Sequence, residues 1–156
     1  MVAFSWLSVH LLHVVHQYDP VYQSLVLADG SRYKETRNND PEQDERTQIY
    51  TELLGLAKTF YPLQLDNRQL ALLSAFFIYN PENMKGSRAE VEKTQENIWM
   101  CLKSITESDD DDESPDLRSW AGLLSRVQQF QITVSEMRHF FLNKENIDAM
   151  RPLFLA

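Results

Sequence analysis

Three histidines, His10, His13 and His16, recur at three-residue spacing in the apolar opening segment MVAFSWLSVHLLHVVH. Residues three or four apart on a helix share a face, and an imidazole there can ligate a metal or hydrogen-bond a small molecule. A closed zinc site takes four ligands. No nearby cysteine or carboxylate completes such a set, so no metal is expected and the histidines punctuate a buried helix. The acidic run Asp109–Glu113 lacks the alternating order and terminal glutamate of a calcium loop, and its like charges keep it solvated. Serines, histidines and acids are present without a nucleophile elbow or a Gly-rich phosphate loop, and the chain has only four glycines. Cys101 is the single cysteine, which excludes an intrachain disulfide and suits a reducing compartment. These residue types form no recognisable catalytic motif, and no cofactor is expected.

The chain that must position them has 156 residues, enough for one domain and one core, and 43% of them are hydrophobic. Lys and Arg number 15 against 23 Asp and Glu, a net charge of −8. That balance opposes nonspecific nucleic-acid binding, which needs cations to displace counterions from phosphates. No repeated-cysteine zinc module is present. The opening segment is apolar like a signal peptide but has no basic start and no small-residue cleavage site. It is also too short to span a bilayer.

Periodicity predicts an all-α chain with one small hairpin. A helix covers residues 2–17, and Pro20 ends it by disfavouring helical backbone at Asp19. Asp29-Gly30 between Ser24–Leu27 and Ser31–Tyr33 is a hairpin signal. Residues 35–46 form a charged loop. A helix at about 47–61 follows, with Ile49, Leu53, Leu56, Ala57 and Phe60 at helical spacing, and Pro62 stops it. Asp66 caps the next helix, which runs through Leu70, Leu73, Phe76 and Phe77 and ends at Asn80-Pro81. Ser87 with Glu90 forms a capping-box pattern for a helix buried along Val91, Ile98, Cys101, Leu102 and Ile105. After the acidic stretch 107–115, a long helix runs from about Asp116 to Leu142.

Residues 65–103 contain LDNRQLALLSAFFIYNPENMKG followed by VEKTQENIWMCLK. This order resembles the middle of a nuclear-receptor ligand-binding domain, where LDxxExALLxAIxxFSPDRPG leads into VExxQExxxxxLxxY. The first helix with QYDPVYQSLVLADGSRY resembles the family's central helix and β-turn, and Trp120–Val127 (WAGLLSRV) resembles the start of its long dimerisation helix. The ending RPLFLA is similar to the activation helix of the vitamin D and xenobiotic receptor branch, with ecdysone and oxysterol receptors also close in pattern. The resemblance covers nearly all of 1–156. It implies a helical sandwich lacking its N-terminal helices, running from the central helix to the start of the activation helix.

By that resemblance the chain is a ligand-binding module of a nuclear transcription factor and not an enzyme. Its partners would be a lipophilic sterol- or fatty-acid-like ligand, a retinoid-X-type receptor and a coactivator or corepressor peptide. The chain itself would touch neither nucleic acid nor membrane. The implied ligand contacts are Trp6, His10, His13, Leu25, Leu27, Met137, Phe140 and Phe141, with His13 at a position that carries a pocket arginine in some receptors. The implied dimer ridge is Trp120, Leu123, Leu124 and Val127, and the implied activation helix is Pro152, Leu153, Phe154 and Leu155.

Several departures from the family pattern come in pairs. Ser8 and Asn83 stand where receptors carry a Glu and an Arg, and Gln69 and Gln131 stand where they carry another such pair. Breaking one half of a buried ion pair costs roughly 3–5 kcal/mol, whereas replacing both halves avoids a stranded charge. The activation glutamate falls on Ala156, or on Leu153 in a shifted register, so no acid is present. This favours the alternative of a ligand-independent dimerisation or repressor domain that keeps the receptor fold.

Overall fold

The computed structural model describes residues 3–34, 45–80, 86–108 and 119–154. Helix α1 (Ala3–His16) leads into strands β1 (Tyr18–Asp19), β2 (Ser24–Val26) and β3 (Arg32–Lys34). Helices α2 (Glu45–Phe60), α3 (Asn67–Ile78), α4 (Arg88–Ser108), α5 (Trp120–Phe141), α6 (Lys144–Ala149) and α7 (Arg151–Phe154) follow. This is the helical plan with a small β element that the periodicity predicts. Leu155, expected on the activation helix, the expected turn at Pro81, the acidic run from Asp109 and the expected start of the long helix at Asp116 lie outside the described residues.

The expected hairpin forms, with Leu25 of β2 opposite Tyr33 of β3. Its turn needs Gly30, whose φ of 86° is left-handed backbone that a side chain resists. The Gly30 N–H donates to the Leu27 carbonyl at 2.9 Å, and the Asp29 carboxylate accepts from the Ser31 N–H at 2.9 Å. A third strand was not predicted: β1 pairs with β2 by placing Tyr18 opposite Leu25. Two residues are too few to show alternation. The strand is fixed from outside its own sequence, because the Asp19 carboxylate is ion-paired with Arg32 of β3 and accepts from the Val21 N–H.

The chain divides into two compact units, Met1–Leu12 with Pro62–Gln128, and His13–Tyr61 with Gln129–Ala156. In the first unit α3 and α4 run antiparallel. Gln69 at the start of α3 donates to Thr106 near the end of α4 at 3.2 Å, and Gln95, earlier on α4, donates to the Phe76 carbonyl near the end of α3 at 3.2 Å. Leu70, Leu73, Phe77 and Leu102 are buried in this unit. Aromatic rings run on from Phe76 to Trp99 at 4.7 Å and from Trp99 to Trp120 at 4.8 Å.

In the second unit α2 lies against the sheet. Tyr33 stacks on Tyr50 at 5.1 Å between centroids, and its hydroxyl meets that of Thr51 at 2.9 Å. The predicted apolar stripe of α2 is buried at every position, Ile49, Leu53, Leu56, Ala57 and Phe60, and Leu54 joins it. Each fully buried leucine contributes roughly 1.5–3 kcal/mol relative to an exposed one. Pro62 ends α2 as expected, with the chain tightening into a 3-10 turn over Tyr61–Leu63. Proline has no N–H to donate into the preceding turn.

Candidate functional site

The helix spacing of α2 puts Glu45, Gln48, Ile49 and Glu52 on one face, since they stand at i, i+3, i+4 and i+7. The C-terminal part of α5 presents Glu136, Met137, His139 and Phe140, at i, i+1, i+3 and i+4. Within the second unit these faces, with Asn143 and Asn146 at the start of α6, line a groove of about 530 Å³. Buried Ile49 and Met137 give it an apolar floor with half-buried Phe140, and the glutamates give it an acidic rim.

The corner after α5 is held by side-chain hydrogen bonds. Asn143 caps α6 by accepting from the Glu145 N–H at 2.9 Å, and Asn146 donates to the Phe140 carbonyl at 2.8 Å. Burial pushes the Glu52 carboxyl above its usual pKa, and the charge of Glu136 pushes it the same way. One turn further along, Phe141 meets Phe154 of α7 edge-on at 5.6 Å. The C-terminal end of α5 therefore touches both the groove and the last described helix.

Of the ligand contacts expected from sequence, Met137 and Phe140 line this groove. Phe141 is buried behind it, packed edge-on against Phe140 at 5.1 Å. Leu25 and Leu27 are buried in the same unit but do not line the groove, and His13 is exposed. Trp6 and His10 belong to the other unit, stacked at 5.7 Å with Trp6 51% exposed. No group of three or more metal-ligating side chains is found among the described residues.

The expected dimer ridge is divided by its own packing. Leu123 and Val127 are each 1% exposed, so their surface is already covered within the chain and they have none to offer a partner. Trp120 and Leu124 are half-buried and keep some accessible surface. On α7, Leu153 is fully buried and Pro152 half-buried. Of the paired replacements, Asn83 lies outside the described residues. Gln69 uses both ends of its amide inside its own unit, accepting from the Asp66 N–H at 3.0 Å and donating to Thr106, while Gln131 is exposed.

The sequence reading missed the polar half of the groove: Glu45, Gln48, Glu52, Glu136, His139, Asn143 and Asn146. A faint signal was present, since Glu52 sits on α2 between Ile49 and Leu53, where a fully covered face would be apolar.

The comparisons with known proteins agree with this architecture. No family model matches the chain. It is 43% identical over 155 residues to "Nuclear hormone receptor-like 1" of Onchocerca volvulus, a match covering 99% of this chain and 42% of that protein. The chain thus spans less than half the length of that curated relative. Among solved structures it resembles the Ultraspiracle ligand binding domain from Drosophila melanogaster, with a TM-score of 0.66 and 26% identity over 90% of this chain and 58% of that one. By sequence the chain is similar to a nuclear hormone receptor-like protein, and by fold to a receptor ligand binding domain.

Proposed function

We propose that this chain is the ligand-sensing part of a nuclear hormone receptor, a non-enzymatic module that acts in the nucleus. A lipophilic small molecule occupies the groove between α2 and α5, and its presence biases the position of α7. The observation that carries this reading is the shared end of α5, where Met137 and Phe140 face the groove and Phe141 contacts Phe154. A ligand shifts such an equilibrium only by its differential affinity for the two positions. The volume lies within the roughly 300–1,000 Å³ range of small-molecule sites, and Ile49, Met137 and Phe140 give an otherwise polar lining its apolar contact surface. Trp120 and Leu124 supply accessible surface for a receptor partner.

Native mass spectrometry of the chain co-expressed with a retinoid-X-type receptor domain tests the reading. A heterodimer carrying one small-molecule adduct is expected, and Phe140→Asp is expected to remove the adduct while leaving the heterodimer. A heterodimer that never carries an adduct would replace this reading with that of a ligand-independent dimerisation or repressor domain. One observation favours that second reading: the described residues of α7, Arg151–Phe154, include no acid.

A further inference from the structure

We propose that the ligand of this groove is a lipophilic amine, its cationic head held by Glu52 and Glu136 and its apolar body lying on Ile49, Met137 and Phe140. The inference rests on the ligand-sensing reading and names the class of molecule. The described residues lining the groove include three carboxylates, Glu45, Glu52 and Glu136, and one basic side chain, His139. The effects acting on Glu52 are burial and the like charge of Glu136, and both disfavour its ionised form.

A fatty acid or phosphate head would add a further negative charge to this arrangement. An ammonium group does the reverse. It supplies three N–H donors, makes charge-assisted hydrogen bonds to carboxylates and relieves the repulsion between the two glutamates. Asn143 and Asn146 are already engaged in holding the α5–α6 corner, the first as an acceptor and the second as a donor. Each amide commits one end there, and among the lining residues it is the glutamates that bring negative charge. The apolar floor selects a chain-bearing amine over a small hydrophilic one, because each methylene removed from water adds to the binding.

The test compares three probes of equal chain length, dodecylamine, dodecanol and dodecanoate, titrated below their micelle concentrations. Binding is read by native mass spectrometry and thermal shift on the chain and on the variants Glu136→Gln, Glu52→Gln and Glu96→Gln. Glu96 is exposed on α4 and controls for loss of a single surface charge. One dodecylamine per chain is expected, held at least about tenfold more tightly than dodecanoate. That preference should collapse in Glu136→Gln and Glu52→Gln and persist in Glu96→Gln. Dodecanoate binding as tightly as the amine would overturn the amine assignment and leave the ligand-sensing reading standing. An amine preference unchanged in both groove variants would mean attraction to the acidic surface in general, and would also overturn it. Binding of none of the three would overturn the groove as a ligand site, and with it the reading on which this inference rests.

Discussion

Glu52 stands half-buried on α2 beside Ile49 and Leu53, and its pKa is raised first by burial and then by Glu136. A carboxyl whose folded pKa lies above its unfolded value binds its proton more readily in the fold. Below the ordinary carboxylate range both states are protonated and the group costs nothing. As pH rises through the folded pKa the penalty develops, and above it the penalty is fully present. Glu52→Gln is therefore expected to stabilise the chain at neutral pH, by less than about 1 kcal/mol because the site is partly solvated. The gain should fade as pH falls below the usual carboxylate range. Melting temperatures of both proteins at neutral and acidic pH check this. A variant less stable than its parent at neutral pH would mean that Glu52 makes a favourable contact there, and the repulsion argument would fail. A residue that costs stability where it stands is expected at a binding surface, since functional sites are where local rules are broken.

At the scale of the element, α3 shows how a helix is set by its first turn. Asp66 accepts from the Gln69 N–H at 2.9 Å, and Gln69 reaches back to the Asp66 N–H, a reciprocal cap. Asp66→Ala is expected to lose about 0.5–2 kcal/mol in urea unfolding, while Asp66→Asn keeps most of the cap. The Gln69 backbone N–H is the main cause of the lowered pKa of Asp66. The stability it confers is present above the ordinary carboxylate pKa and is lost as pH falls through the lowered one. Asp66→Asn should flatten that acid-side slope, and an unchanged slope would show that the cap is not what titrates.

The cap residue Asp66 and the stripe from Ile49 to Phe60 were legible in the sequence, because helix caps and 3.6-residue periodicity are local. Strand β1 was not, since its pairing comes from Leu25 and its anchor from Arg32. Nor was α6, where Asn143 caps a helix too short to show a period. The groove was half legible. Met137 and Phe140 followed from resemblance, but Glu52 and Glu136 are 84 residues apart in the chain. Their mutual charge exists only once α2 and α5 pack together. The division of the expected dimer ridge has the same origin. Leu123, Leu124 and Val127 share helical spacing, and packing alone decides that the first and last are covered.

For the molecule as a whole, charge sets what it attracts. Fifteen basic residues against 23 acidic ones leave −8, and a field of that sign repels polyphosphates and concentrates cations near the surface. Proteins that bind DNA nonspecifically do so with dissociation constants of about 10⁻⁴–10⁻⁶ M at physiological salt, by releasing counterions through Lys and Arg contacts. This chain is expected to leave the fluorescence anisotropy of a labelled duplex unchanged at concentrations up to about 100 μM, even in low salt where such binding is strongest. A rise in anisotropy that weakens steeply with added salt would show a basic contact surface that the charge balance does not predict. The same salt series separates the two kinds of cation attraction. At about 0.15 M the Debye length is near 8 Å, so the field of exposed acids is largely screened. Glu52 is half-buried and its charge is screened less, so an amine preference that survives physiological salt and is lost in Glu52→Gln comes from the groove.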